Sequence, residues 1–120
     1  MRRNKKEEEE EQIQKIMLLQ EEIQLWIQYI FQLWIQYMFQ LWERKKQEQH
    51  NPFPKLAYTE TVAFERSEAY QEIKIISVKM VRDMTGDKRE KRLVQIEELH
   101  QHMQSIVTAV LETIQKYSAS

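Results

Sequence analysis

Few residues in this sequence have the type and spacing that chemistry requires. His100 and His102 form a His-x-His pair, and histidine binds metals and moves protons near neutral pH. On a helix of about 3.6 residues per turn, however, two positions apart means about 200° apart, so these rings cannot hold one ion from a regular helix. His102 with Glu98, at i and i+4, could offer two ligands, but nothing else in the sequence completes a metal site. His100 falls on an apolar helical face, where histidine is more often packed or hydrogen-bonded than catalytic. Its available contribution there is a seam that responds to pH.

The run Lys88, Arg89, Lys91 and Arg92 could touch phosphate. It is interleaved with Asp87 and Glu90 and has no aromatic partners, so it reads as a solvated helix start instead of a nucleic-acid face. The whole chain carries 18 basic and 19 acidic residues, a net charge of −1, which gives no global pull toward nucleic acid or anionic membrane. Without cysteine there are no disulfides, thiolate metal ligands or cysteine nucleophiles. Asp83 and Asp87 are the only aspartates, and no nucleophile elbow or glycine-rich phosphate loop is present. These observations point away from an enzyme, and toward no cofactor, no metal and no small-molecule substrate.

The elements that would have to position any site are organised around residues 23–42, IQLWIQYIFQLWIQYMFQLW. This stretch has no charge, Gly or Pro, and 15 of its 20 residues are apolar. The exceptions are Gln24, Gln28, Gln32, Gln36 and Gln40. It is also a tandem octapeptide: QLWIQYIF, then QLWIQYMF, then a truncated QLW. Such a segment must be buried against something. As a strand it alternates well, since every odd residue from Leu25 to Leu41 is apolar. Its length exceeds that of an ordinary strand, and no turn or partner strand accompanies it.

As a helix the segment belongs to a longer pattern. Ile13, Ile16, Gln20, Ile23, Ile27, Ile30, Trp34, Tyr37 and Leu41 alternate spacings of three and four without a break, which is a heptad seam. None of the repeat glutamines falls on it, and Gln20 is its single polar a position, a possible register device. Because the pattern extends upstream of the repeat, helix is the better reading. Leu25, Trp26, Tyr29, Phe31, Leu33, Ile35, Met38, Phe39 and Trp42 lie off the seam, so the helix needs cover on more than one side. A transmembrane span would fit the length. The glutamines argue against it, because a buried amide without a partner costs on the order of 1–3 kcal/mol, and Trp and Tyr run through the segment without forming belts at its ends.

One Gly and two Pro in 120 residues leave room for few turns, so long helices are expected. The N-terminus is no signal peptide, because an acidic run, Glu7 to Glu11, follows its basic start. This favours an intracellular location. The expected organisation is a charged start or tail over 1–12, a long heptad helix over 13–49, and a Pro-containing loop over 50–57. Helix 2 follows at 58–85, helix 3 at 86–117, and a tail at 118–120. Gly86 suits a left-handed C′ position ending helix 2, and Asp87 with Glu90 suits a capping box opening helix 3. One continuous helix from 58 to 117 is the competing arrangement. Helix 3 has its own seam: Leu93, Ile96, His100, Met103, Val107, Val110, Ile114 and Tyr117, widened by Leu99, Ile106 and Leu111.

The fold class expected is therefore all-α: a long N-terminal helix followed by a helical hairpin, coiled-coil or three-helix-bundle-like. The function expected is a non-enzymatic interaction or scaffold protein that self-associates or joins a larger helical assembly through residues 23–42. Its interface residues would be Ile23, Trp26, Ile27, Ile30, Trp34, Tyr37 and Leu41, with Ile96, Met103, Val107, Val110 and Ile114 on helix 3. The partner would be a second copy or another helical protein. The alternative is a peripheral membrane protein that uses 23–42 as an interfacial or spanning helix.

Overall fold

A computed structural model describes residues 4–44 and 52–118, with side chains described for 4–36 and 58–116. The helix α1 spans Lys5–Arg44. Asn4 caps it: its side chain accepts a hydrogen bond from the Lys6 N–H at 2.9 Å, and its carbonyl accepts from Glu7 and Glu8 at 3.0 and 3.1 Å. Glu7 and Glu8 complement the positive end of the helix dipole.

The chain then returns along α1 in three short helices, α2 (Pro52–Arg66), α3 (Glu68–Ile75) and α4 (Val78–Arg82), and runs forward again in α5 (Gly86–Ser118). Cross-contacts give the directions. Trp34 meets Tyr58, Gln20 meets Ile76, and Glu10 meets Arg82, so the middle leg is antiparallel to α1. Lys15 meets Glu97, and Glu22 meets His100, so α5 runs parallel to it. The architecture is an all-α bundle with up, down and up legs.

The middle leg departs from the single helix expected over 58–85, and its breaks have local causes. It begins at Pro52, inside the loop expected over 50–57. Pro52 and Pro54 occupy the first turn, where a backbone N–H has no intrahelical partner to lose. At Ser67 the backbone is extended (φ −63°, ψ 147°), and Oγ accepts from the Tyr70 N–H while donating to the Phe64 carbonyl at 2.7 Å. At Ile76 and Ser77 it is extended again, and the Ser77 Oγ accepts from the Met80 N–H. Ile73, Ile75 and Ile76, β-branched and crowded against the preceding turn, make this the weakest helical stretch. Two serines able to cap a new helix complete the breaks.

The last turn also differs from expectation. Gly86 is the first residue of α5 and has no left-handed φ; an added Cβ would meet open space. Thr85 takes the cap position expected of Asp87, with Oγ1 accepting from the Lys88 N–H at 3.3 Å and its carbonyl accepting from Arg89 at 2.9 Å. α4 is closed by a side chain instead of a glycine. The Arg89 guanidinium, 5% exposed, donates to the carbonyls of Val81, Arg82 and Met84.

The core follows the two seams. Ile13, Ile16, Ile23, Ile27, Ile30 and Trp34 of α1 are buried with Ile96, Met103, Ile106, Val107 and Val110 of α5. Phe64, Tyr70, Ile73, Ile76 and Val81 line the middle leg. The molecule measures 63 × 31 × 17 Å. Its long dimension is the length of α1, about 60 Å for 40 residues at about 1.5 Å each. Its thin dimension is less than two helix diameters of about 10–12 Å. One face of α1 is therefore left open.

Candidate interaction surface

The core seam decides which side of α1 faces inward. Among the residues expected at an intermolecular interface, Ile23, Ile27, Ile30, Trp34, Ile96, Met103, Val107 and Val110 are at most 7% exposed and pack within the chain itself. Trp26 and Ile114 are half-buried against the same core. The side chains of Tyr37 and Leu41 lie outside the described residues. The seam thus builds the bundle, and a different set of apolar residues on α1 stays exposed.

That set lies on the opposite side of α1. Leu18, Leu25 and Tyr29 are 56, 57 and 44% exposed. At about 100° per residue they fall within an arc of about 40°, turned away from Ile16, Ile23 and Trp34. Ile35, 70% exposed, lies further round the same helix. Between this stripe and α5 runs an open groove of ≈ 630 Å³, lined by Leu25, Trp26, Tyr29 and Leu111, with Glu22 and Gln104 at its polar edge. Trp26 meets Tyr29 edge-on, with ring centroids 5.7 Å apart. This holds the two aromatic rings in the preferred T-shaped geometry. Leu25, Tyr29 and Ile35 were visible as apolar residues off the seam. Leu18 carried a signal too: it and Leu25 share one heptad position, opposite the seam.

Polar contacts fix where the stripe sits by locking the three legs in register. Gln20, 8% exposed at its seam position, donates from Nε2 to the Ile76 carbonyl at 3.1 Å. That carbonyl belongs to the extended break between α3 and α4, so the polar seam residue and the helix break answer one another. The Gln20 Oε1 meets no donor among the described residues. Across α1 and α5, Glu22 and His100 approach to 2.7 Å, and Lys15 pairs with Glu97 at 3.4 Å.

His100 and His102 face different neighbours. The His102 ring lies edge-on to Phe64 at 5.2 Å while His100 meets Glu22. Among the described residues no three histidine or acidic side chains gather as a metal site would need. The basic run is divided. Arg89 is spent on carbonyls, Arg92 contacts Gln95 at 3.1 Å and Glu72 at 3.7 Å, and Lys88 and Lys91 are exposed. A buried arginine serving as a helix C-cap was not legible in that run, because the carbonyls it serves belong to a turn formed only in the fold. At the far end, Glu10 and Arg82 form a two-pronged pair at 2.5 and 2.6 Å. The hydrogen bond from Arg82 holds the Glu10 carboxyl below its usual range, and the same bond raises Arg82.

No family model, curated protein or solved structure matches the chain. No helix among the described residues is long and apolar enough to cross a membrane.

Proposed function

We propose that the protein is a non-enzymatic helical interaction or scaffold protein, which self-associates or packs into a larger helical assembly through α1. The observation that carries this reading is the stripe of Leu18, Leu25 and Tyr29, beside a groove walled by Trp26 and Leu111. Large apolar side chains grouped on one helical face, with polar residues at the rim, form the kind of patch that protein interfaces use. A partner helix laid along the groove would be read by anchors spaced at i, i+4 and i+7. The aromatic pair Trp26 and Tyr29 would be its energetic centre.

The test is light scattering or sedimentation equilibrium on the full-length protein, compared with the double variant Leu25→Glu, Tyr29→Ser. Both sites are surface positions, so helix content should be unchanged while a defined oligomer falls to monomer. A wild-type chain that is already monomeric, and stays so when mixed with helical partners from its own source, would sink the reading. The exposed Leu25, Tyr29 and Ile35 also support a second reading, an interfacial helix on a membrane surface. Liposome co-sedimentation of a protein that is monomeric in buffer would favour it.

A further inference from the structure

We propose that residues 23–42 are also a β-assembly segment: once α1 leaves the bundle, this stretch pairs as extended strands with the same stretch of further copies of the chain. The inference starts from the period of the repeat. Eight residues are four whole turns of a strand's two-residue alternation, but about 2.2 turns of an α-helix. In a strand, therefore, successive octapeptides present identical faces. In the helix each copy is rotated by about 80° from the one before. The repeat is coherent with itself only when extended.

The strand faces are well formed. Leu25, Ile27, Tyr29, Phe31, Leu33, Ile35, Tyr37, Phe39 and Leu41 would share one side. The other side would alternate glutamine with Trp26, Ile30, Trp34, Met38 and Trp42. Stacked in register, such a segment yields a dry apolar zipper on one face and ladders of glutamine amides on the other. Helical folding leaves part of that apolar surface in water, since Leu25, Tyr29 and Ile35 are 57, 44 and 70% exposed. The charges, prolines and glycines that normally interrupt such stretches are missing across all 20 residues.

The partner follows from connectivity. The two octapeptides abut at Phe31 and Gln32, with no turn residues between them, so the stretch cannot fold back as a hairpin. Its backbone N–H and C=O groups must be paired by a separate strand, and the strand that matches both its faces along its whole length is the same stretch of a second copy. Because the copies differ only at Ile30 and Met38, a slip of eight residues preserves both faces.

The experiment holds the full-length protein at the midpoint of its urea transition and follows amide I infrared absorption and thioflavin T fluorescence. Fibre diffraction then looks for the reflection at about 4.7 Å. Ile35→Lys and Leu18→Lys are compared with wild type. Both residues are exposed in the helical fold and both variants gain the same charge, so each is held at the midpoint of its own urea transition. Only Ile35 lies in the proposed strand. The expected result is cross-β fibres from wild type and Leu18→Lys, with roughly a tenfold or longer lag for Ile35→Lys. Aggregates that stay helical, or equal delay by both lysines, would overturn the proposal. Helical self-association is read without urea by light scattering, so either idea can fail alone.

Discussion

Trp26 and Trp34 hold the same place in successive copies of one octapeptide, as do Ile27 and Ile35, yet the bundle treats each pair in opposite ways. Trp34 is 1% exposed and lies edge-on to Tyr58 at 5.8 Å, while Trp26 is half-buried at the wall of an open groove. Ile27 is 4% exposed and Ile35 is 70% exposed. The rotation of about 80° per copy accounts for both reversals. In the first copy Ile27 and Ile30 reach the seam; in the second, Trp34 reaches it and Ile35 is carried past. Identical local sequence therefore serves as core in one copy and as surface in the other, because burial depends on angular position about the helix.

The largest effect expected is at the tryptophans. Trp34→Ala should cost about 3–5 kcal/mol, as truncating a fully buried aromatic does, and Trp26→Ala roughly 1–2 kcal/mol. Urea denaturation followed by circular dichroism measures both. Equal costs would mean that the two copies are not rotated as described. The isoleucines sharpen the comparison. Ile27→Ala should cost about 2–4 kcal/mol, whereas Ile35→Ala should stay within about 0.5 kcal/mol of wild type.

The smallest effect belongs to the exposed pair at the N-terminal end of α1. The Glu10 carboxyl is held below its usual value of 4.5 by the hydrogen bond from Arg82. A carboxyl whose value is lowered by folding contributes stability that is fully present above its unfolded value. That contribution is lost as pH falls through the folded one. Arg82→Ala should therefore lower the melting temperature slightly near neutral pH, and the difference from wild type should vanish in acid below the carboxylate range. A surface pair of this kind contributes little, which sets the scale below which differences between the octapeptides carry no weight.

The all-α class and the two long seams were legible because a heptad pattern repeated over many residues has one helical solution. The seam residues from Ile13 to Trp34 and from Ile96 to Val110 are found buried in the bundle, apart from the half-buried His100. Less legible was the middle leg. Its breaks at Ser67 and at Ile76 and Ser77 depend on single side chains that can either continue a helix or cap a new one. Gln20 could be read as a polar seam residue, but its acceptor, the Ile76 carbonyl, becomes available only where the helix opens.

By itself, then, the amino-acid order determined which residues share a helical stripe, since spacing along a helix converts directly into angle. It also determined that residues 23–42 carry more apolar surface than one stripe can bury. Tertiary structure alone decided which stripe turns inward. The middle leg and α5 cover the side of Ile16, Ile23 and Trp34 and leave Leu18, Leu25 and Tyr29 open. That choice rests on contacts between residues far apart in sequence, such as Gln20 with Ile76 and Glu22 with His100, and no local period encodes them.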